Sequence, residues 1–230
     1  MDKDKQEGKL YEWKKEIILA QLLSIETSIE KLEKLNKEGK KIFDDIIVSF
    51  HDIQCLNEEK DDMLGLFSSL DLKLCVKIVI QNQKRLNQVE QIHQKMKKFM
   101  GMIEENFVNL QKVLDDCFGG DILSKKQQVL NYLLLQYPNI LSIQIILNLL
   151  LVLVPQLRED IKTKQQLLDE INEFLQDNTT DQGLLQIDQE SIKIFKYYIY
   201  IWTFRPSVDE TNEKGLNKAL TAYYKDFEPK

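Results

Sequence analysis

The residues that could perform chemistry are few, and their spacing favours no known reaction. The two histidines, His51 and His93, are far apart in the sequence, and neither has a second histidine one helical turn away to form a metal-binding pair. His51 and Asp52 are adjacent, and adjacent side chains do not face each other on a helix. The sequence contains no phosphate-binding loop, dinucleotide fingerprint or nucleophile elbow. We therefore predict neither a metal site nor a cofactor site.

Adjacent carboxylates are the remaining candidates for acid–base catalysis. They occur at residues 58–59, 61–62 and 115–116. A catalytic carboxylate pair requires burial and a shifted pKa, whereas these pairs lie in charge runs or at a predicted helix end. That placement is typical of a solvated surface. We predict no catalytic residues, no small-molecule substrate and a protein that is not an enzyme.

The three cysteines indicate a reducing compartment, cytoplasmic or nuclear. Cys55, Cys75 and Cys117 are odd in number, and no two of them have the spacing of metal ligands. Cys75 and Cys117 fall in an apolar helical stripe, so we expect buried, unreactive thiols. Residues 1–9 are charged and have no apolar core, so we expect no secretory signal there.

Composition narrows the possible classes of partner. The 230 residues are 43% hydrophobic and carry a net charge of −6, with only 8 Gly and 4 Pro. Sparse Gly and Pro argue against an all-β fold. The acidic balance argues against nucleic acid and against an anionic membrane, because both need a basic face. The apolar run 140–154 is roughly 22 Å long as a helix, shorter than a bilayer core of about 30 Å, which favours a buried helix.

Two long apolar series with alternating gaps of three and four residues organise the first half of the chain. The first predicts a helix over residues 10–57, and the second predicts a helix from residue 72 to Gly119-Gly120. Their similar lengths and short connection predict an elongated antiparallel hairpin or coiled coil. The alternative is that both helices pair with a partner chain and that the connection is a hinge.

A third series predicts a long helix over residues 140–175. Its phase continues across Pro155, which indicates either one proline-kinked helix or two nearly collinear helices. A short helix is expected before it, with Ser124 and Gln127 as a capping box and Pro138 as its end.

The end of the chain, residues 188–230, is predicted to form a small helical lobe. Asp188 can cap its first helix, although residues 192–204 suit a strand as well as a helix. Ser207 and Glu210 form a second potential capping box. The lobe is rich in aromatic residues, which are enriched where proteins meet, although a small lobe also needs them for its core. The candidate partner-binding residues are Tyr197, Tyr200, Trp202, Phe204, Tyr223, Tyr224 and Phe227.

Two polar residues interrupt the apolar series of the predicted hairpin. If residue 57 lies opposite residue 72, Asn36 and His93 fall at the same level and can hydrogen-bond to each other. An unpaired polar group buried there would cost about 1–3 kcal/mol. The alternative is a partly exposed His93 at the edge of the interface.

The sequence predicts an all-α protein in three parts: a hairpin over residues 1–118, a segment over 121–177 with a proline-kinked long helix, and the lobe over 188–230. We expect a non-enzymatic coiled-coil scaffold or adaptor that associates with itself or with other protein subunits, as in kinetochore, spindle or tethering assemblies. The alternative is a membrane-binding dimer, because the three helix lengths resemble those of the curved BAR domains.

Overall fold

Long runs of Leu, Glu, Lys and Gln, all good helix formers, give this chain its secondary structure. The computed structural model describes residues 2–62, 69–118, 139–179 and 185–225. They form five helices, α1 (Asp2–Asp62), α2 (Ser69–Phe118), α3 (Asn139–Asp177), α4 (Gln189–Phe204) and α5 (Glu210–Lys225). These ranges contain no β-strand, apart from an isolated bridge between Thr179 and Leu185. The all-α prediction is confirmed.

The apolar series correctly located the first two helices but underestimated their length. α1 extends beyond the predicted range 10–57 at both ends, where polar residues that include the helix formers Lys, Glu and Gln lie outside the apolar pattern. α2 begins at Ser69 and continues to Phe118, directly before the predicted glycine stop. From Asn82 to Cys117, every predicted position of the second series is buried. The short helix predicted around residues 124–137 lies outside the described residues.

α3 continues through Pro155 as one helix. Proline lacks a backbone N–H, so it removes one hydrogen bond from the helix interior. The apolar series on both sides of Pro155 stays on one face, and its members Leu150, Val154 and Leu157 are all buried. Packing of this face offsets the local loss and holds the two halves of the sequence in one element.

Residues 192–204, for which the sequence allowed either a strand or a helix, lie in helix α4. The Asp188 carboxylate accepts a hydrogen bond of 2.7 Å from the backbone N–H of Ser191, as a helix N-cap does. At the other end, Arg205 adopts the left-handed conformation (φ 48°, ψ 61°) that terminates helices. The predicted cap at Asp188 is therefore confirmed.

The predicted capping box of Ser207 and Glu210 is wrong. α5 begins at Glu210, so the cap position is Asp209. The Asp209 carboxylate accepts a hydrogen bond of 2.8 Å from the backbone N–H of Thr211. A carboxylate directly before the first helical residue satisfies a free backbone N–H and favours the positive end of the helix dipole.

The chain forms two compact units, and each combines segments that are distant in the sequence. Unit 1 comprises Met1–Lys31, Lys98–Glu159 and Ser207–Lys230, and unit 2 comprises Leu32–Lys97 and Asp160–Pro206. Parts of α1, α2 and α3 contribute to both units. The helices of the predicted C-terminal lobe are divided, with α4 in unit 2 and α5 in unit 1.

Three contacts in unit 1 connect α1 to α2. The Lys14 ammonium pairs with Asp116 at 2.9 Å, and Asn106 donates a hydrogen bond of 3.0 Å to the Ser24 hydroxyl. The Lys31 ammonium lies 5.1 Å from the centre of the Phe99 ring. Positions along α2 therefore fall as positions along α1 rise.

In unit 2, the predicted hydrogen bond between Asn36 and His93 is not made, although both side chains are buried. His93 Nε2 instead donates to the backbone carbonyl of Ile161 in α3, at 2.9 Å. The backbone carbonyl of Asn36 accepts from Trp202 Nε1 at 3.1 Å, and Asn36 Oδ1 has no hydrogen-bond partner in the described part of the chain. The hydrogen-bond partners of His93 and Asn36 thus belong to α3 and α4. The prediction considered only how α1 aligns with α2, so it could not identify them.

Gly39 allows the close approach of α1 to Trp202. A Cβ atom at position 39 would lie 2.6 Å from Cζ2 of Trp202 and 2.8 Å from its Nε1. Both atoms belong to a fused ring that is fully buried and cannot move aside easily. The glycine therefore has a packing role within a helix that it otherwise weakens.

We expect Gly39→Ala to lower the free energy of unfolding by about 1–3 kcal/mol, because overpacking outweighs the gain in helix propensity. Gly101→Ala is the matched control, since nothing lies within 4 Å of a Cβ at that position in α2. The control should stabilise the protein by up to about 1 kcal/mol. Urea denaturation of both variants checks this, and equal effects would contradict the packing role of Gly39.

Candidate protein-interaction surface

The inner face of α4 fixes this helix to unit 2. Its apolar residues Ile192, Phe195, Ile199 and Trp202 recur every three or four positions and are buried. The Phe195 ring makes T-shaped contacts with Phe50 and Phe43, with ring centres 4.8 Å and 5.9 Å apart. Such edge-to-face pairs add about 0.5–1.5 kcal/mol beyond the area that they bury. α4 is thus a well-anchored element.

Trp202 is the centre of this anchor. Its ring is fully buried, and its centre lies 5.3 Å from that of Phe43. Its indole N–H donates to the Asn36 carbonyl, and the Lys164 ammonium lies 5.4 Å from the ring centre. Trp202 was predicted to bind a partner, but in this structure it packs in the core of unit 2.

The outer face of α4 carries large side chains exposed to solvent. We name this surface the α4 stripe: Ile194, Tyr197, Tyr200 and Phe204. Tyr197 is 61% exposed, Tyr200 54% and Phe204 63%. The Tyr200 and Phe204 rings lie together, with centres 4.1 Å apart. Adjacent exposed aromatic side chains on a rigid helix are typical of a protein-binding surface.

The other predicted site residues are placed differently. Tyr223 in α5 is fully buried in unit 1, and Tyr224 is half-buried. Burial, followed by the nearby Glu26 carboxylate, raises the pKa of Tyr224. Phe227 lies outside the described residues. The structure thus brings three of the seven candidates together at one surface: Tyr197, Tyr200 and Phe204.

A buried ionic cluster that was not predicted from the sequence holds the end of α4. The Lys164 ammonium pairs with Asp160 at 2.5 Å, and Arg205 Nε lies 3.5 Å from the same carboxylate. The Lys164 side chain is only 1% exposed. Burial lowers the pKa of Lys164 to about 8, while the Asp160 charge acts in the opposite direction. The available signal was a lysine within the apolar series of α3, one helical turn after an aspartate.

Among the described residues, the remaining reactive groups do not lie together in one site. His51 and Cys55 are one helical turn apart on α1 and are both exposed. Within the residues that the structure describes, no group of three or more His, Cys, Asp or Glu side chains could hold a metal ion. Cys75 and Cys117 are buried, as predicted, and burial raises the pKa of Cys117 to about 11.

α3 also meets the length and composition criteria for a membrane span. Within the described residues, Ser142–Asp177 contains an 18-residue window with a mean hydropathy of 1.3, of which 39% is buried. A single helix of this kind is weak evidence for a membrane span, since the core helix of a soluble protein meets the same criteria. In this chain, the inner face of the window contributes Ile146, Leu150 and Leu153 to the core.

We expect Asp160→Asn to destabilise unit 2 by about 3–5 kcal/mol, because it leaves Lys164 buried without its counter-charge. Lys164→Met should have a smaller effect, since it removes the buried ammonium itself. The control is Glu210→Gln, which breaks an exposed pair with Lys214 of the same i, i+4 spacing and should cost less than about 0.5 kcal/mol. Chemical denaturation compares them. Equal effects of Asp160→Asn and the control would show that the buried cluster contributes nothing.

We expect unit 2 to lose stability as the pH falls below about 6.5, the ordinary pKa of histidine. Burial lowers the pKa of His93, with Lys97 and Lys164 adding to the shift and Asp169 opposing it. The unfolded chain therefore takes up the proton first, and the His93 contribution is lost as the pH falls through its folded pKa. His93→Gln lacks this titration, so the difference in unfolding free energy between wild type and variant should narrow with acid. Parallel pH profiles would contradict this role.

No protein-family model, curated protein or solved structure matches this chain. A fold class by itself does not determine function, because one architecture supports many activities. The all-α architecture is therefore only the framework for a functional argument. The surface of α4 and the contacts that hold it in place are the features specific to this chain.

Proposed function

We propose that this protein is a non-enzymatic scaffold or adaptor subunit that binds other proteins through the α4 stripe. The observation that carries the proposal is the pairing of a tightly anchored inner face with an exposed aromatic outer face on one helix. A rigid helix presents its exposed rings with little loss of conformational entropy on binding. Tyrosine is common among the residues that dominate binding energy at protein interfaces.

We further propose that α1 and α2 form an elongated antiparallel coiled-coil hairpin. The pairs Lys14–Asp116, Asn106–Ser24 and Lys31–Phe99 support this topology, because their order reverses from one helix to the other. At 1.5 Å per residue, a helix of 61 residues is about 90 Å long. Helices of this length suit a spacer between binding sites.

Two further details of the predicted architecture belong to the same proposal. Pro155 would kink α3, because a proline within a helix removes one hydrogen bond and clashes with the preceding turn. The C-terminal region would serve as the attachment region, with α4 presenting its stripe. The assembly would reside in the cytoplasm or nucleus, as the odd number of cysteines and the lack of metal-ligand spacing between them suggest.

The experiment is affinity purification from native lysate followed by mass spectrometry. It compares wild type with the variant Tyr197→Ser/Tyr200→Ser/Phe204→Ser. We expect the variant to lose at least one stably associated protein by tenfold or more, because three exposed rings are removed from one surface. Far-ultraviolet circular dichroism should show unchanged helix content, since the stripe faces solvent.

The matched control is Leu74→Ser/Val76→Ser/Ile80→Ser, which removes three exposed apolar side chains from α2 in the same unit. This variant should retain the proteins that depend on α4. Equal losses from both variants would indicate nonspecific adhesion. Identical protein sets for the wild type and the α4 variant would contradict the proposed binding surface.

A further inference from the structure

The two long edges of the α4 stripe differ in charge. Consecutive residues on a helix are separated by about 100°, so Lys196 and Tyr198 lie on opposite sides of Tyr197. Lys196 is exposed and makes its edge basic. Lys193 is nearby but pairs with Glu190 at 3.1 Å, so its charge is largely compensated within the helix.

The opposite edge is acidic. Glu170 and Glu173 of α3 are exposed and belong to the same unit as α4. The contacts of Asp160 with Arg205 and of Lys164 with Trp202 show that α3 runs beside α4 in the opposite direction, so Glu170 and Glu173 fall near the level of Tyr198. Burial raises the pKa of Tyr198, and the two carboxylates raise it further, in agreement with this placement. The stripe thus has aromatic rings in the middle, an ammonium on one side and two carboxylates on the other.

We propose that the α4 stripe binds the α4 stripe of a second copy of this chain, with the two helices parallel and related by a twofold axis that runs along them. This inference depends on the proposed function, in which the stripe is a protein-binding surface, and it names the partner. Twofold pairing is the most common arrangement of protein homo-oligomers, and each copy then contributes the same surface.

Symmetry selects the parallel arrangement. A twofold axis parallel to α4 exchanges left and right, so the Lys196 edge of each copy faces the Glu170 and Glu173 edge of the other. A twofold axis across the helices would make them antiparallel and place like-charged edges opposite each other. Juxtaposed like charges disfavour that alternative, so charge decides the orientation.

A second copy is favoured over an unrelated protein because the surface already contains both halves of the charge pattern. Its own carboxylates provide the counter-charge for Lys196, and its own rings provide an apolar surface of the same length. Tyr200 and Phe204, already stacked on each other, lie towards the C-terminal end of the stripe. In a parallel pair they meet the same two residues of the other copy and form one aromatic cluster.

Sedimentation velocity of the purified full-length chain over a wide range of concentrations tests the inference. We expect a concentration-dependent dimer for the wild type and a dissociation constant at least tenfold higher for Tyr200→Ser. The control is Ile80→Ser, because Ile80 is 52% exposed and Tyr200 is 54% exposed. A monomer at every concentration, or equal effects of the two substitutions, would overturn the proposal.

Charge exchange tests the symmetry. Lys196→Glu alone, or Glu170→Lys/Glu173→Lys alone, should weaken the dimer by about tenfold, since each change creates like-charge contacts at two symmetric places. Combining all three substitutions should restore the wild-type constant to within about threefold, because the opposite charges again face each other. Failure of the combined variant to recover would overturn the parallel arrangement.

The two proposals fail in different ways. If the purified chain is a monomer while the triple serine variant still loses associated proteins from lysate, the stripe binds a different protein and only the second-copy inference is overturned. If the chain dimerises through α4 but no associated protein depends on the stripe, the role as a scaffold for other proteins fails and the dimer remains.

Discussion

The insertion of the Trp202 ring against Gly39 is the contact on which the arrangement of unit 2 depends. It fixes the distance between α1 and α4, because no other residue type at position 39 leaves room for the ring. It also orients α4, since the indole N–H is held by the Asn36 carbonyl. With the ring buried against α1, the opposite face of the same helix is turned away from α1, and its side chains are exposed. The packing of the tryptophan therefore determines which side chains of α4 lie on the outer face.

The ionic cluster at Asp160 complements this contact at the end of α4. The buried Lys164 and the nearly buried Arg205 both contact the Asp160 carboxylate. Arg205 is also the left-handed residue that ends α4. Buried ion pairs add little to stability compared with apolar packing, but they tolerate few alternative arrangements. In this arrangement the first residue after α4, Arg205, is tied to α3, directly beside Phe204 of the outer face.

Helical periodicity predicted most of the secondary structure, because buried residues recur every three or four positions along α1, α2 and α3. The same reasoning was insufficient for the site. Tyr200 and Trp202 are both aromatic and only two residues apart, yet one is exposed and the other is in the core. The difference depends on Gly39, which is remote in sequence, and on the backbone carbonyl of Asn36. Likewise, the partner of His93 is a backbone carbonyl of α3, and a pattern of side-chain types carries no information about backbone acceptors.

Three of the four boundaries between the two units fall inside α1, α2 and α3, after Lys31, Lys97 and Glu159, and the fourth, after Pro206, lies between α4 and α5. No connecting loop separates one unit from the other along α1, α2 and α3. Local unfolding that began in one unit would have to stop within a helix and expose several free backbone donors and acceptors there. Because helix formation is cooperative, such a junction is unfavourable. Amide hydrogen exchange in the two units should therefore be linked, which means that one unit does not open independently of the other.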